Sequence, residues 1–351
     1  MRILYLTLIS SFLLVTEFNC FANDSIGAIG VGGIEFKKTD EISMEKEVLT
    51  IGVDKVRVEY DFLNKTDKTI SETVLFPMPL YDFDYGCSPE YSGQLQQFRV
   101  QINNQDVYPD KTIIAKLKDG TDVTAKLRKI GLDDKDIAEY RGVDSKCGEV
   151  NMSGKYADKI KILFAENLVD QVSEGAFVPG WRVAYIYYWK MTFPPMKIIH
   201  VAHEYRPFTG TVAMGYEFAT NKNGDVFSKF ENSAKISGDE DYCMDDGAVR
   251  LATKIQKIAN KPFVSRTVKY ILSTGANWAG PIKEFTLNIK KRSKDEIVTL
   301  CFDGDFKKSN DLTLSSYIKN FLPTKEINVK FYFPDDARYS FPYDPGSLQH
   351  Y

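Results

Sequence analysis

Apolar and polar residues alternate along long parts of this chain. Val56, Val58, Tyr60 and Phe62 fall on one side of a period of two, and Arg57, Glu59 and Asp61 fall on the other. That pattern predicts a strand with one buried and one wet face. The run from Ile70 predicts a further strand, closed by Pro77 and Pro79, which cannot continue a central ladder. Phe98, Val100 and Ile102 alternate again before a turn at Asn103-Asn104-Gln105-Asp106. The period then changes. Thr121 is placed to cap a short helix carrying Val123, Leu127 and Ile130, with Gly131 as its stop. Further helices are predicted up to Gly142 and from Tyr156 to Val169, and strands resume near Trp181. In the second half, Leu251, Ala252, Ile255, Ile258 and Ala259 share one helical face ahead of Pro262. Strands are predicted in TVKYILST, EFTLNIKK, EIVTLCF and INVKFYF, with a helix through Leu314, Tyr317, Ile318 and Phe321 that stops at Pro323.

These elements predict an α+β, mostly antiparallel β fold. Residues 23–210 read as a β-sandwich-like lobe with a helical insertion around 121–170, and residues 211–351 as a smaller mixed α+β lobe. Residues 1–22 read differently. Met1-Arg2 is a short basic start, Ile3 to Val15 is almost purely apolar, and Cys20-Phe21-Ala22 offers small residues for cleavage. This is the pattern of a signal peptide cut after Ala22, so the expectation is an exported protein, periplasmic or secreted. Later segments contain no apolar run long enough to span a bilayer as a helix.

Composition narrows the partners. With 45 basic against 48 acidic residues and a formal charge of -3, nothing points to nucleic acid or an anionic membrane. Cys87, Cys147, Cys243 and Cys301 follow the leader, an even number that favours two disulfides in an oxidising compartment. Pairing within each half, Cys87 with Cys147 and Cys243 with Cys301, is the expectation.

Candidate chemistry is sparse. His200 and His203 are spaced His-x-x-His, but Pro194-Pro195 and the apolar residues Ile198, Ile199 and Val201 favour a strand. Residues three apart on a strand point to opposite faces, so the pair cannot share a metal. His203, on the face of Val201 and Tyr205, is expected as a hydrogen-bonded structural residue. The acidic run SGDEDYCMDDG, Ser237 to Gly247, fails the EF-hand pattern, because the sixth and twelfth residues from Asp239 are Met244 and Arg250. It reads as a solvated loop before a helix N-terminus. Asn221 to Asp225 reads as a hairpin turn. No phosphate-binding glycine loop or nucleophile elbow occurs. No cofactor, metal ligand set or catalytic residue is therefore assigned. Trp278, framed by glycines and Pro281 in TGANWAGPI, is expected to plug a core.

Several stretches resemble an uncharacterised family of exported bacterial proteins, domain of unknown function 4424. They are Asn23-Asp24-Ser25, Gly32-Gly33, Met44 with Glu47, the Val56–Phe62 strand, Phe76-Pro77-Met78-Pro79, DGTDVTAKLRKIGL, HEYRPFTG and YILSTGANWAGPIKEFTLNI. The resemblance implies no established activity and no catalytic residues. The Val56–Phe62 strand with Phe-Pro-x-Pro is also similar to the vault/inter-alpha-trypsin type of β-sandwich. The cysteines Cys87 and Cys147 and the acidic loop lie outside the resembling pattern. The resulting expectation is a non-catalytic module binding a protein or envelope component. The alternatives are a secreted hydrolase using carboxylates and a calcium-stabilised structural module.

Overall fold

The computed structural model describes residues 23–30, 33–81, 96–138, 157–173, 176–207, 209–212, parts of 242–255, and 263–334. Mostly antiparallel sheets make up the fold, as the alternation predicts. The largest is eight-stranded. Its order is Lys307–Asn310, Thr313–Phe321, Ile282–Lys290, Ile42–Gly52, Val56–Asn64, Ile198–Arg206, Gln96–Ile102 and Gln105–Val107. Ile282–Lys290 runs parallel to Ile42–Gly52. Strands from either side of residue 210 therefore share one ladder, and this sheet does not divide there.

A five-stranded sheet is ordered Gly33–Lys37, Ser25–Gly30, Ile70–Pro77, Trp181–Phe193 and Asp110–Leu117. A four-stranded sheet joins Thr209–Val212, Phe263–Tyr270, Ile327–Pro334 and Ile297–Leu300. Val169–Ser173 and Ala176–Pro179 form a small hairpin.

The period of two dictates which residues fill the interior. Val56, Val58, Tyr60 and Phe62 are buried, while Glu59 between them is exposed. Their face meets the five-stranded sheet. The rings of Phe62 and Phe193 are 6.2 Å apart and perpendicular, and those of Phe98 and Tyr187 are 4.6 Å apart. Val268, Tyr270 and Phe331 of the four-stranded sheet belong to the same continuous core. Such close aromatic packing contributes beyond the burial of area alone.

The expected insertion contains short helices at Thr124–Ile130, Asp134–Ala138 and Ala157–Ala165. Gly131 ends the first in the left-handed region at φ 95°, as a stop residue should. The cap differs from the expectation. Asp122 Oδ1, not Thr121, accepts from the Thr124 amide at 2.9 Å. Chain reversal at Asn103-Asn104 is tighter than expected, with φ of 50° and 65°. Gln105 and Asp106 already belong to the next strand. Both positive φ values fit the two-residue hairpin turns that asparagine tolerates.

One predicted helix is a strand. Leu314, Tyr317, Ile318 and Phe321 lie in Thr313–Phe321, paired antiparallel to Ile282–Lys290. Ser315 Oγ donates to Asn288 Oδ1 across that ladder at 2.6 Å. Ladder bonds outweighed an apolar spacing only nine residues long. The helix expected over 251–259 falls largely outside the described residues, as does the acidic loop from Ser237. Cys87 and Cys147 lie outside them too. Cys243 and Cys301 are joined by a disulfide, with their Cα atoms 5.0 Å apart.

Candidate functional site

Two polar constellations stand out. They lie on opposite faces of the eight-stranded sheet. The first is sealed inside. Glu47 faces inward with Leu49 and Ile51, and its register partner is Tyr60. His203 is inward on the neighbouring strand, opposite Val58 and Val100. Asn23 and Asp24 enter just ahead of the Ser25–Gly30 strand. Asn23, Asp24, Glu47 and His203 are all fully buried.

Asn23 organises the cluster. Its Nδ2 donates to both Glu47 oxygens at 3.3 and 3.4 Å. Its Oδ1 accepts from the Tyr60 hydroxyl at 2.5 Å and from the Asp24 amide at 2.9 Å. The Tyr60 and Tyr270 hydroxyls are 2.9 Å apart. Asp24 carries its carboxylate to 3.4 Å from His203 Nε2. That is close enough for charge attraction, yet neither Asp24 oxygen nor either His203 nitrogen has an aligned hydrogen bond among the described residues. The approach to Asp24 is the one polar contact that His203, expected as a hydrogen-bonded residue, makes among the described residues. Its imidazole is otherwise boxed by aromatic edges, with Phe76, Trp189, Tyr60 and Phe98 at 5.0, 5.1, 5.6 and 5.8 Å.

Burial governs the acids. It pushes the Glu47 carboxyl up to about 8, helped by the Asp24 charge and opposed by the Asn23 hydrogen bond. Burial also raises Asp24, although His203 works against the rise. It lifts the Tyr60, Tyr205 and Tyr270 phenols well above their ordinary range.

The TGANWAGPI segment clamps the chain entering this cluster. Thr274 Oγ1 accepts from the Asn23 amide and donates to the Asn23 carbonyl, both at 2.8 Å. Asn277 Nδ2 donates to Ser25 Oγ at 3.0 Å, and Trp278 Nε1 donates to the Asp24 carbonyl at 2.8 Å. The Trp278 ring is buried, with its centroid 4.4 Å from that of Phe62. Asp24, Glu47, Tyr60 and Tyr270 were not singled out by sequence reasoning as a cluster. The signal for Glu47 was its parity with Leu49 and Ile51.

The second constellation is on the wet face. His200 is exposed, and its Nδ1 is 2.5 Å from Asp61 Oδ1. Around this pair, Lys46, Arg57, Gln101 and Asn104 line an open concavity of about 330 Å³. Arg57 contacts Glu59 at 2.8 Å and Glu204 at 3.3 Å, and Lys55 reaches Glu204 at 2.6 Å. Side chains of both signs are therefore held on adjacent strands. His200 and His203 do project to opposite faces. Among the described residues no three His, Cys, Asp or Glu side chains gather in a way that would hold a metal ion.

The DUF4424 profile, a domain of unknown function, matches residues 22–330. The chain belongs to the DUF4424 family. No curated protein matches it in sequence. Among solved structures, a Legionella pneumophila protein provisionally described as nutrient binding is similar to this family member at 15% identity and a TM-score of 0.39. The match covers 90% of this chain and 73% of that one. Among the described residues no helix is long and apolar enough to cross a membrane.

Proposed function

We propose that this DUF4424 protein is exported and acts as a non-catalytic binding module, taking a protein or envelope component on the wet face of its eight-stranded sheet. The observation that carries this reading is the concavity around His200, where Lys46, Arg57, Glu59 and Asp61 offer charges of both signs and Gln101 and Asn104 offer neutral hydrogen-bonding groups. A sheet holds such groups at fixed spacing, so a partner meets a preorganised surface. Charge of both signs supports selection by complementarity rather than attraction to any polyanion. The groups that most resemble acid–base machinery, Asp24, Glu47 and His203, are fully buried, which supports binding over catalysis.

The test is site-specific photo-crosslinking in cells from Asn104 and His200, with exposed Tyr317 as control. A discrete adduct from positions 104 and 200, lost with Arg57→Glu and absent from position 317, is the expected result. Turnover of generic ester, peptide or glycoside substrates that disappears with Asp61→Asn would replace this reading with a hydrolase.

A further inference from the structure

The interior cluster holds more acidic groups than basic ones. Two carboxyl groups, Asp24 and Glu47, share a sealed space with a single imidazole, His203, and all three are fully buried. Neither oxygen of Asp24 has an aligned hydrogen bond among the described residues, although His203 Nε2 lies 3.4 Å away. Uncompensated buried carboxylates are among the costliest features a fold can carry. The backbone nitrogen of Asn23 sits in this cluster, fixed at 2.8 Å from Thr274 Oγ1, and Asn23's own side chain lies on Glu47. As a peptide amide that nitrogen is neutral and has one proton to give. As a chain terminus it is an ammonium with three.

We propose that the bond ahead of Asn23 is a processing site whose product, the free α-ammonium of Asn23, is buried as the positive counter-charge to the Asp24 and Glu47 carboxylates. The inference rests on the export reading, which independently places leader cleavage after Ala22. Hydrolysis of that bond consumes one water and yields the Ala22 carboxylate and the Asn23 ammonium. The family match begins at residue 22, beside the same bond. Because Asn23 and Asp24 are fully buried, cleavage precedes the docking of this segment. A residue left ahead of Asn23 replaces an ammonium with a neutral amide and must also find a way out of the cluster. With the ammonium in place, the two carboxyl groups share the buried space with a positive charge as well as with the imidazole.

The experiment compares chains from residue 23 made with a protease that leaves no residue behind and the same chains carrying one added glycine. The exact Asn23 start should melt roughly 2–4 °C above the extended chain. In an Asp24→Asn, Glu47→Gln background the two should melt together, because no carboxylate remains to pair. Equal melting in the wild-type background, or a difference that survives undiminished in the double variant, overturns the proposal. If the double variant does not fold, acylation of the wild-type α-amine decides. The amine of native protein should resist a reagent that labels it rapidly in urea, and rapid native labelling overturns the proposal. N-terminal sequencing of protein recovered from cells separates the two readings. Retained Met1 sinks export, whereas an exported chain trimmed to a residue other than Asn23 sinks the processing site alone.

Discussion

His200 and His203 show how much a single side of a sheet decides. Three residues apart, one is exposed beside Asp61, and the other is enclosed by Phe76, Trp189, Tyr60 and Phe98. His203→Ala should destabilise by about 2–4 kcal/mol, since it leaves a cavity among the rings and takes away the imidazole 3.4 Å from the Asp24 carboxyl. His200→Ala should stay within about 0.5 kcal/mol, as exposed substitutions usually do. Urea unfolding of both variants tests this, and equal losses would contradict it. Glu47 gives a second expectation. Its carboxyl moves from 4.5 to about 8 on folding, so between those values the folded chain binds the extra proton. Stability is then full below the lower value and is lost as pH rises through the upper one. Asp24 acts with the same sign, and Tyr60 and Tyr270 stay neutral throughout. In a chain with residues ahead of Asn23, urea midpoints should fall from pH 5 to pH 8, and Glu47→Gln should flatten that slope. The opposite faces of the two histidines were legible from strand periodicity. The buried acids were not, because a carboxylate in sequence reads as solvated unless its parity with apolar neighbours is followed.

Among elements, the strand Ser25–Gly30 is the most tightly constrained. A Cβ on Gly27 would lie 2.2 Å from Leu75 Cδ1 and 2.6 Å from the Glu35 carbonyl oxygen. The second contact is backbone and cannot turn aside. Gly27→Ala should therefore cost about 1–3 kcal/mol and loosen the pairing with both neighbouring strands, read as faster amide exchange in Ser25–Gly30. Unchanged exchange would contradict the close approach. Elements such as Val56–Asn64 were legible because alternation over many residues has one interpretation. Thr313–Phe321 was misread because nine residues of mixed spacing fit a helix as well as a strand. What decided it was a partner, Ile282–Lys290, that local pattern does not reveal.

Across the whole molecule, long-range ties dominate. The Cys243–Cys301 disulfide closes a separation of 58 residues. Removing it with Cys301→Ser should cost about 2–4 kcal/mol, measured as the shift in urea midpoint against the oxidised parent. No shift would mean that the unfolded chain is not held by this link. The overall class and most strands were legible from sequence. The sharing of one ladder by Ile42–Gly52 and Ile282–Lys290 was not, since parallel pairing leaves no turn between its members to be read. The same holds for the meeting of Asn23 with Thr274, which are 251 residues apart.

That last contact imposes an order on time as well as space. A ribosome releases Asn23, Asp24 and Ser25 long before Thr274, Asn277 and Trp278, the residues whose side chains hold them. Contacts of such separation wait for nearly the whole chain to appear. This early segment is thus among the last to be secured, and until then the Asp24 carboxylate remains in water, where its charge costs little.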